Sequence, residues 1–204
     1  MNIGIIAEDA SDVAVIKELT ASLLGQYCVG FKHFVAEGCG KLRRKCGAWA
    51  RILVHKGCSR IVVVHDLDEN VEQTLRAEIS AEIAPAAAEG SIVLIPRREI
   101  EAWLLYDAGA IATAFRETRY APLPGRPESL QDPKRFLRDL IWRRYKKEYL
   151  YTVHNSRIAE HVDTALLRES GSFAPHFGFT AAVKERLRQT GGLAHRRAAP
   201  RAQA

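Results

Sequence analysis

The chain is short of cysteine, has a single methionine, no long apolar run and no glycine-rich nucleotide loop. Each shortage excludes something. Its four cysteines, Cys28, Cys39, Cys46 and Cys58, form no C-x-x-C pair and all lie in the first third. They read as reduced thiols of a cytoplasmic protein, because neither a disulfide framework nor a zinc site favours such spacings. No apolar stretch approaches the ~20 residues that span a bilayer, so no membrane partner is expected. The start, Met1-Asn2-Ile3-Gly4-Ile5-Ile6-Ala7-Glu8, lacks the basic flank and cleavage site of a signal peptide. The turn Gly38-Cys39-Gly40-Lys41 lacks the G-x-x-x-x-G-K-[ST] spacing of a phosphate-binding loop. There is no internal repeat.

What is present is an ordinary globular composition: 204 residues, 47% hydrophobic and 26% charged. That length suits one domain with an appendage. The formal charge is +6, unevenly spread. Residues 1–100 carry 12 Lys and Arg against 13 Asp and Glu; residues 101–204 carry 18 against 11. The first half can supply a carboxylate site, and the second half can attract a polyanion.

Short apolar runs alternate with amphipathic stretches over the first hundred residues. Strands are expected at 2–7, 27–36, 60–65 and 91–95. Helices are expected from a cap near Ser11, then at 41–56 with Gly57 behind it, 70–83, and 99–107. This rhythm predicts an α/β fold, a mainly parallel sheet flanked by helices, followed by a C-terminal helical extension. Residues 118–133 hold four prolines and read as a loop. Helices follow at 132–147, 156–169 and 173–189. The division is then 1–110 for the α/β domain, 111–190 for the helical extension packed on it, and 191–204 for a disordered tail.

Glu8 directly follows the first strand, and Asp66 and Asp68 directly follow the third. Functional groups of an open parallel sheet gather beyond the carboxyl ends of its strands. Asp12 lies one helical turn after Glu8. Glu101 opens the helix after the fourth strand, with Glu99 two positions away on a different helix face. So many like charges need a compensating cation, and hard oxygen ligands suit Mg²⁺ or Mn²⁺. The same residue types also serve as helix caps and solvated first-turn acids.

The motifs Glu8-Asp9-Ala10-Ser11-Asp12, His65-Asp66-Leu67-Asp68 and Arg98-Glu99-Ile100-Glu101-Ala102-Trp103-Leu104 together resemble the Toprim fold. The nearest likeness is to small Toprim-like proteins related to the OLD-family nucleases. Asp132-Pro133-Lys134 and Ser172-Phe173 extend it to about residues 1–180. Asp9 stands where that group usually has glycine, and Asp12 where it has glutamate; neither change removes a carboxylate. The resemblance implies a Toprim-like sheet, Mg²⁺-dependent phosphodiester hydrolysis of DNA or RNA, and a role in bacterial anti-phage defence. It implies Glu8 as metal ligand or general base, Asp66 and Asp68 as metal ligands, and Glu101, with Asp12, at a second metal. A neighbouring ATPase as partner, and assembly into a homo-oligomer, belong to the same implication. Among Tyr106, Tyr145, Tyr149 and Tyr151 nothing singles out a nucleophile, so water is the simpler attacking group.

Two basic clusters suit phosphate contacts: Lys41, Arg43 and Arg44 at a helix start, and Arg143, Arg144 and Lys146, interleaved with Trp142 and Tyr149. Lys134 gains weight from the resemblance, since a lysine near carboxylates can offset charge on a phosphate. His65 alternates away from Asp66 and reads as a packed histidine. Other readings remain at this stage: a non-catalytic partner subunit of an ATPase, a receiver-like phosphoacceptor, or a phosphatase using Asp66 and Asp68.

Overall fold

The structure is a computed structural model and describes residues 1–190. The tail reading for 191–204 lies outside the described residues. Four strands, β1 (Asn2–Ala7), β2 (Gly30–Val35), β3 (Cys58–Val64) and β4 (Gly90–Leu94), form one all-parallel sheet in the order β2-β1-β3-β4. Helices α1 (Ala10–Leu24), α2 (Cys39–His55) and α3 (Glu72–Ile83) are the crossovers. The remaining helices are α4 (Glu101–Leu104), α5 (Ala108–Ala114), α6 (Pro133–Tyr145), α7 (Tyr151–His161) and α8 (Ala174–Gln189). The fold is thus α/β, with a C-terminal helical segment. No described helix is long and apolar enough to cross a membrane.

The strands are apolar without interruption because both faces of the sheet are covered. Ile3, Ile5, Val62 and Val64 point into a core shared with α1 and the C-terminal helices. Ile6, Ile61 and Val63 point into a second core against α2 and α3. Helix α7 packs on α1 and α5, and α8 packs on α1 and β4. The helical segment therefore shares its core with the sheet.

Three helix boundaries differ from the sequence expectation. The cap of α1 is Asp9, not Ser11: its carboxylate accepts the Ser11 N–H at 2.7 Å, while Asp12 accepts the Asp9 N–H at 3.1 Å. That is a reciprocal capping box. The helix expected over 99–107 is only Glu101–Leu104. Arg98 takes the left-handed conformation at φ 66, which leaves Glu99 outside, and Asp107 caps a new helix at Ala110 N. The helix expected over 156–169 starts at Tyr151 and stops at His161, because Val162 turns extended; Leu166–Glu169 is a separate 3-10 turn.

His176 on α8 is fully buried, with Nε2 2.9 Å from Thr20 Oγ1 and Nδ1 without a partner. Burial pushes its pKa down to about 4. The unfolded ring, near its ordinary 6.5, therefore takes up a proton that the fold refuses. This stabilisation is complete above pH 6.5 and is lost as pH falls from 6.5 to 4, a loss of roughly 3 kcal/mol. Thermal melts across that window should fall more steeply for the parent than for His176→Gln.

Candidate active site

Two neighbouring strands leave the sheet in opposite directions. After β1 the chain crosses outward to β2; after β3 it crosses outward to β4. Such a topological switch point opens a crevice at the carboxyl edge. Glu8 comes from the β1 side of it, and Asp66 and Asp68 from the β3 side.

The contact between the two sides is direct. Glu8 Oε1 accepts the Asp66 backbone N–H at 3.1 Å. His65 Nδ1 lies 3.1 Å from the same oxygen and 2.6 Å from the Asp66 carbonyl oxygen. Both are acceptors, so Nδ1 carries the hydrogen and donates. His65 is packed, as its pattern suggests, but its ring also orients Glu8. Burial raises the Glu8 pKa; His65 and the Asp66 N–H oppose that rise, and Asp68 adds to it.

Asp66 Oδ1 is buried and has no hydrogen-bond partner. Burial, then the charges of Asp12, Glu8, Glu101 and Asp68, hold the Asp66 carboxyl well above the usual carboxylate range. Asp12 is pushed up to about 7, by burial first and then by Glu101. After burial, the remaining causes are charges of neighbouring acids, so Glu8, Asp12, Asp66, Asp68 and Glu101 lie close enough to repel one another. Asp68 is exposed in a left-handed turn at φ 46, and Arg98 reaches its carbonyl oxygen at 3.4 Å and Glu69 at 2.8 Å. That arginine ties the β3 loop to the β4 loop.

Glu101 is almost fully buried and lies amid donors. Asn155 Nδ2 donates to its Oε1 at 3.0 Å, Tyr149 OH at 3.4 Å, and Lys134 Nζ lies 3.6 Å away. Asn155 Nδ2 also donates to Ser11 Oγ at 2.9 Å, and Tyr149 OH donates to Asn155 Oδ1. Burial and Glu101 push the Tyr149 phenol far above its ordinary range, so it stays a donor. The sequence singled out none of these tyrosines; the fold selects Tyr149.

Lys134 stands at the start of α6, where Asp132 caps the helix and Glu99 Oε2 accepts the Lys134 backbone N–H at 2.8 Å. Its Nζ lies 3.9 Å from Glu99 and 4.5 Å from the centre of the Tyr151 ring. Burial opposes its charge, but Glu101, Glu99, Asp66 and Asp12 outweigh that and raise its pKa. The sequence expectation that Glu99 lies on a different helix face from Glu101 is corrected here. Both reach Lys134, because Glu99 precedes the helix instead of lying on it.

The donor chemistry suits a hard divalent cation: carboxylates at close quarters, one with an unpartnered buried oxygen. Glu8, Asp66 and Asp68 would hold it. Among the described residues, no three Asp, Glu, His or Cys side chains yet converge on one point. Glu8 is turned toward His65, Asp12 toward Asp9, and Glu101 toward Asn155 and Lys134.

The basic clusters are dispersed. Lys41 pairs with Glu37 at 3.2 Å; Arg43 reaches Glu78, and Asn70 at 3.5 Å; Arg44 is exposed. These sit where α2 begins, beyond the end of β2. Arg143, Arg144 and Lys146 lie at the far end of α6, about 14–18 Å along the helix from Lys134. Only Lys134 joins the carboxylates. Ser11, Asn155, Tyr149 and His65 were not among the expected site residues. Asn155, a polar residue beside Ile158 and Ala159 on the apolar side of α7, is the one that a pattern could have exposed.

Two motif elements turn out to mate with each other. Trp103 Nε1 donates to Ser172 Oγ at 2.7 Å, and the Trp103 and Phe173 rings meet edge-on at 5.1 Å. Glu128 accepts the Ser170 hydroxyl, the Gly171 and Ser172 N–H groups and the Ser172 hydroxyl. This clamp holds the C-terminal segment against α4, and with it Glu101.

No curated protein and no solved structure matches the chain. A family model described as "Domain of unknown function (DUF4276)" matches residues 7–178. That match runs from the last residue of β1 into α8 and takes in each carboxylate and polar partner described above; the chain belongs to this family.

Proposed function

We propose that the chain is a Toprim-type, Mg²⁺- or Mn²⁺-dependent nuclease that hydrolyses phosphodiester bonds of DNA or RNA in the cytoplasm, with a role in defence against phage. The observation that carries this reading is the buried, unpartnered Asp66 oxygen among four other carboxylates at the β1/β3 crevice. Such a group is unfavourable unless a cation joins it. Held chiefly by Asp66 and Asp68, with Glu8 beside it, a cation would supply charge stabilisation to the phosphate and make a water more acidic.

The chain's own groups divide the remaining work. Glu8, oriented by His65 Nδ1 and the Asp66 N–H, takes the proton of the attacking water. Lys134 faces the crevice from the opposite side and offsets negative charge on the phosphate oxygens. Glu101 and Glu99 hold that ammonium in place; Asn155 and Tyr149 hold Glu101. In this reading Glu101 serves Lys134 before it serves a second metal.

The test is cleavage of plasmid, linear and single-stranded substrates with Mg²⁺, Mn²⁺ or EDTA. The parent should cut only with a cation. Glu8→Ala should lose at least about a hundredfold in rate, the scale of a general base, while keeping its circular-dichroism spectrum. Equal cutting by parent and variant overturns the assignment. The carboxylates' turned-away positions favour a second reading, a subunit that is silent until a partner ATPase binds. A parent that binds Mn²⁺ and cuts nothing alone supports that one.

A further inference from the structure

Helix α6 leads away from the crevice with an ordered face. Lys134, Arg138 and Trp142 follow one another at four-residue intervals, and Lys146 lies four further, just past the helix end. Positions i, i+4 and i+8 form one ridge on a helix. Trp142 lies about 12 Å along that ridge from Lys134. Arg143, one position on, lies beside it.

Trp142 is out of place as a core residue. It is 58% exposed, whereas Trp103 is fully buried and Tyr145 and Tyr149 are nearly so. No aromatic ring or cation of the described residues packs on its indole. It lines a surface cavity of about 510 Å³ with Arg138, Asp139, Lys147, Glu148 and Tyr149, in which Arg138 lies 3.4 Å from Asp139 and Lys147 pairs with Glu117 at 2.6 Å. Tyr149 also forms the back of the carboxylate site through its bond to Glu101. The cavity and the crevice thus share a wall.

An exposed indole with cations on either side is the arrangement that takes an unpaired base on its face and the flanking phosphates on its edges. A duplex keeps its base faces stacked and cannot offer one without unstacking. We infer that the Lys134–Arg138–Trp142–Lys146 ridge is the track for a single-stranded nucleic acid, with one base stacked on Trp142. This rests on the nuclease reading and narrows its substrate class to single strands, or frayed ends and flaps of duplexes.

The experiment is fluorescence anisotropy of labelled oligonucleotides of equal length, one single-stranded and one duplex, on the full chain in EDTA at low salt. EDTA separates binding from cleavage. The single strand should bind the parent more tightly than the duplex. Trp142→Ala should weaken single-strand binding about tenfold or more, and Trp142→Phe, which keeps a ring, should recover most of it. Arg138→Ala should weaken it less and lower its salt dependence. A Trp142→Ala variant that binds as the parent does, a duplex bound as tightly as the single strand, or no binding at all, overturns the track. If the track holds and no cation produces cutting, the nuclease reading falls and the binding surface stands.

Discussion

Replacing Asp66 with asparagine should raise the melting temperature of the cation-free protein and, on the proposed nuclease function, abolish cation-dependent cleavage. Both effects have one cause. The Asp66 carboxylate is buried beside Asp12, Glu8, Glu101 and Asp68, and its pKa is held well above its ordinary value. Its folded pKa exceeds its unfolded one, so the native state holds a proton that the unfolded chain releases. Stability therefore falls as pH rises from the usual carboxylate range through the raised value. Asp12, pushed up to about 7, contributes with the same sign. An amide at position 66 removes the repulsion and keeps the shape; the gain should be about 1–2 kcal/mol, and it should widen with pH.

The same substitution removes the negative charge that a cation would need at this position. Activity should fall at least about a thousandfold. Mn²⁺ should raise the parent's melting temperature by mass action and leave Asp66→Asn unmoved. Melts of both proteins at pH 5 and pH 8, with and without Mn²⁺, read every arm. An Asp66→Asn protein that is less stable than the parent at pH 8 without cation would show that Asp66 is a structural acid.

Lys134→Met, which keeps length and removes charge, should lower kcat about a hundredfold at saturating Mn²⁺. Its effect on stability should be small. The lysine side chain is 41% exposed, and the buried Glu101 keeps its hydrogen bonds from Asn155 and Tyr149, so the loss should be about 1 kcal/mol. Mn²⁺ affinity should stay level or improve, because a competing positive charge leaves the carboxylates. A lysine that merely neutralises acids would give the opposite division: a lower melting temperature, with kcat changed only a few-fold. Single-turnover rates with pre-bound Mn²⁺ distinguish the two.

Much of the candidate site was legible in the sequence, for one reason. A parallel sheet places catalytic groups at strand ends, and strand ends are visible as apolar runs stopping at an acid. Glu8 after Ile3–Ala7, and Asp66 after Arg60–His65, could be found that way. The polar partners could not. Asn155 meets Ser11 across 144 positions and Glu101 across 54, and no local pattern encodes such a pairing. The shortened α4 was illegible for a different reason: the left-handed Arg98 delays its start to Glu101, and Asp107 caps a separate helix soon after Leu104.

By itself the sequence determined the α/β alternation, the strands, the five carboxylates and the asymmetry of charge, because these follow from periodicity and composition. Only the tertiary structure decided that β1 lies beside β3. That adjacency converts three separate acidic loops into one mutually repelling group. It also decided that Lys134 enters the group while the other expected cations stay outside, and that Trp142 faces solvent while its neighbouring aromatics are buried. Burial, repulsion and ion pairing depend on distances across the fold, and distances of that kind are set by packing, not by spacing along the chain.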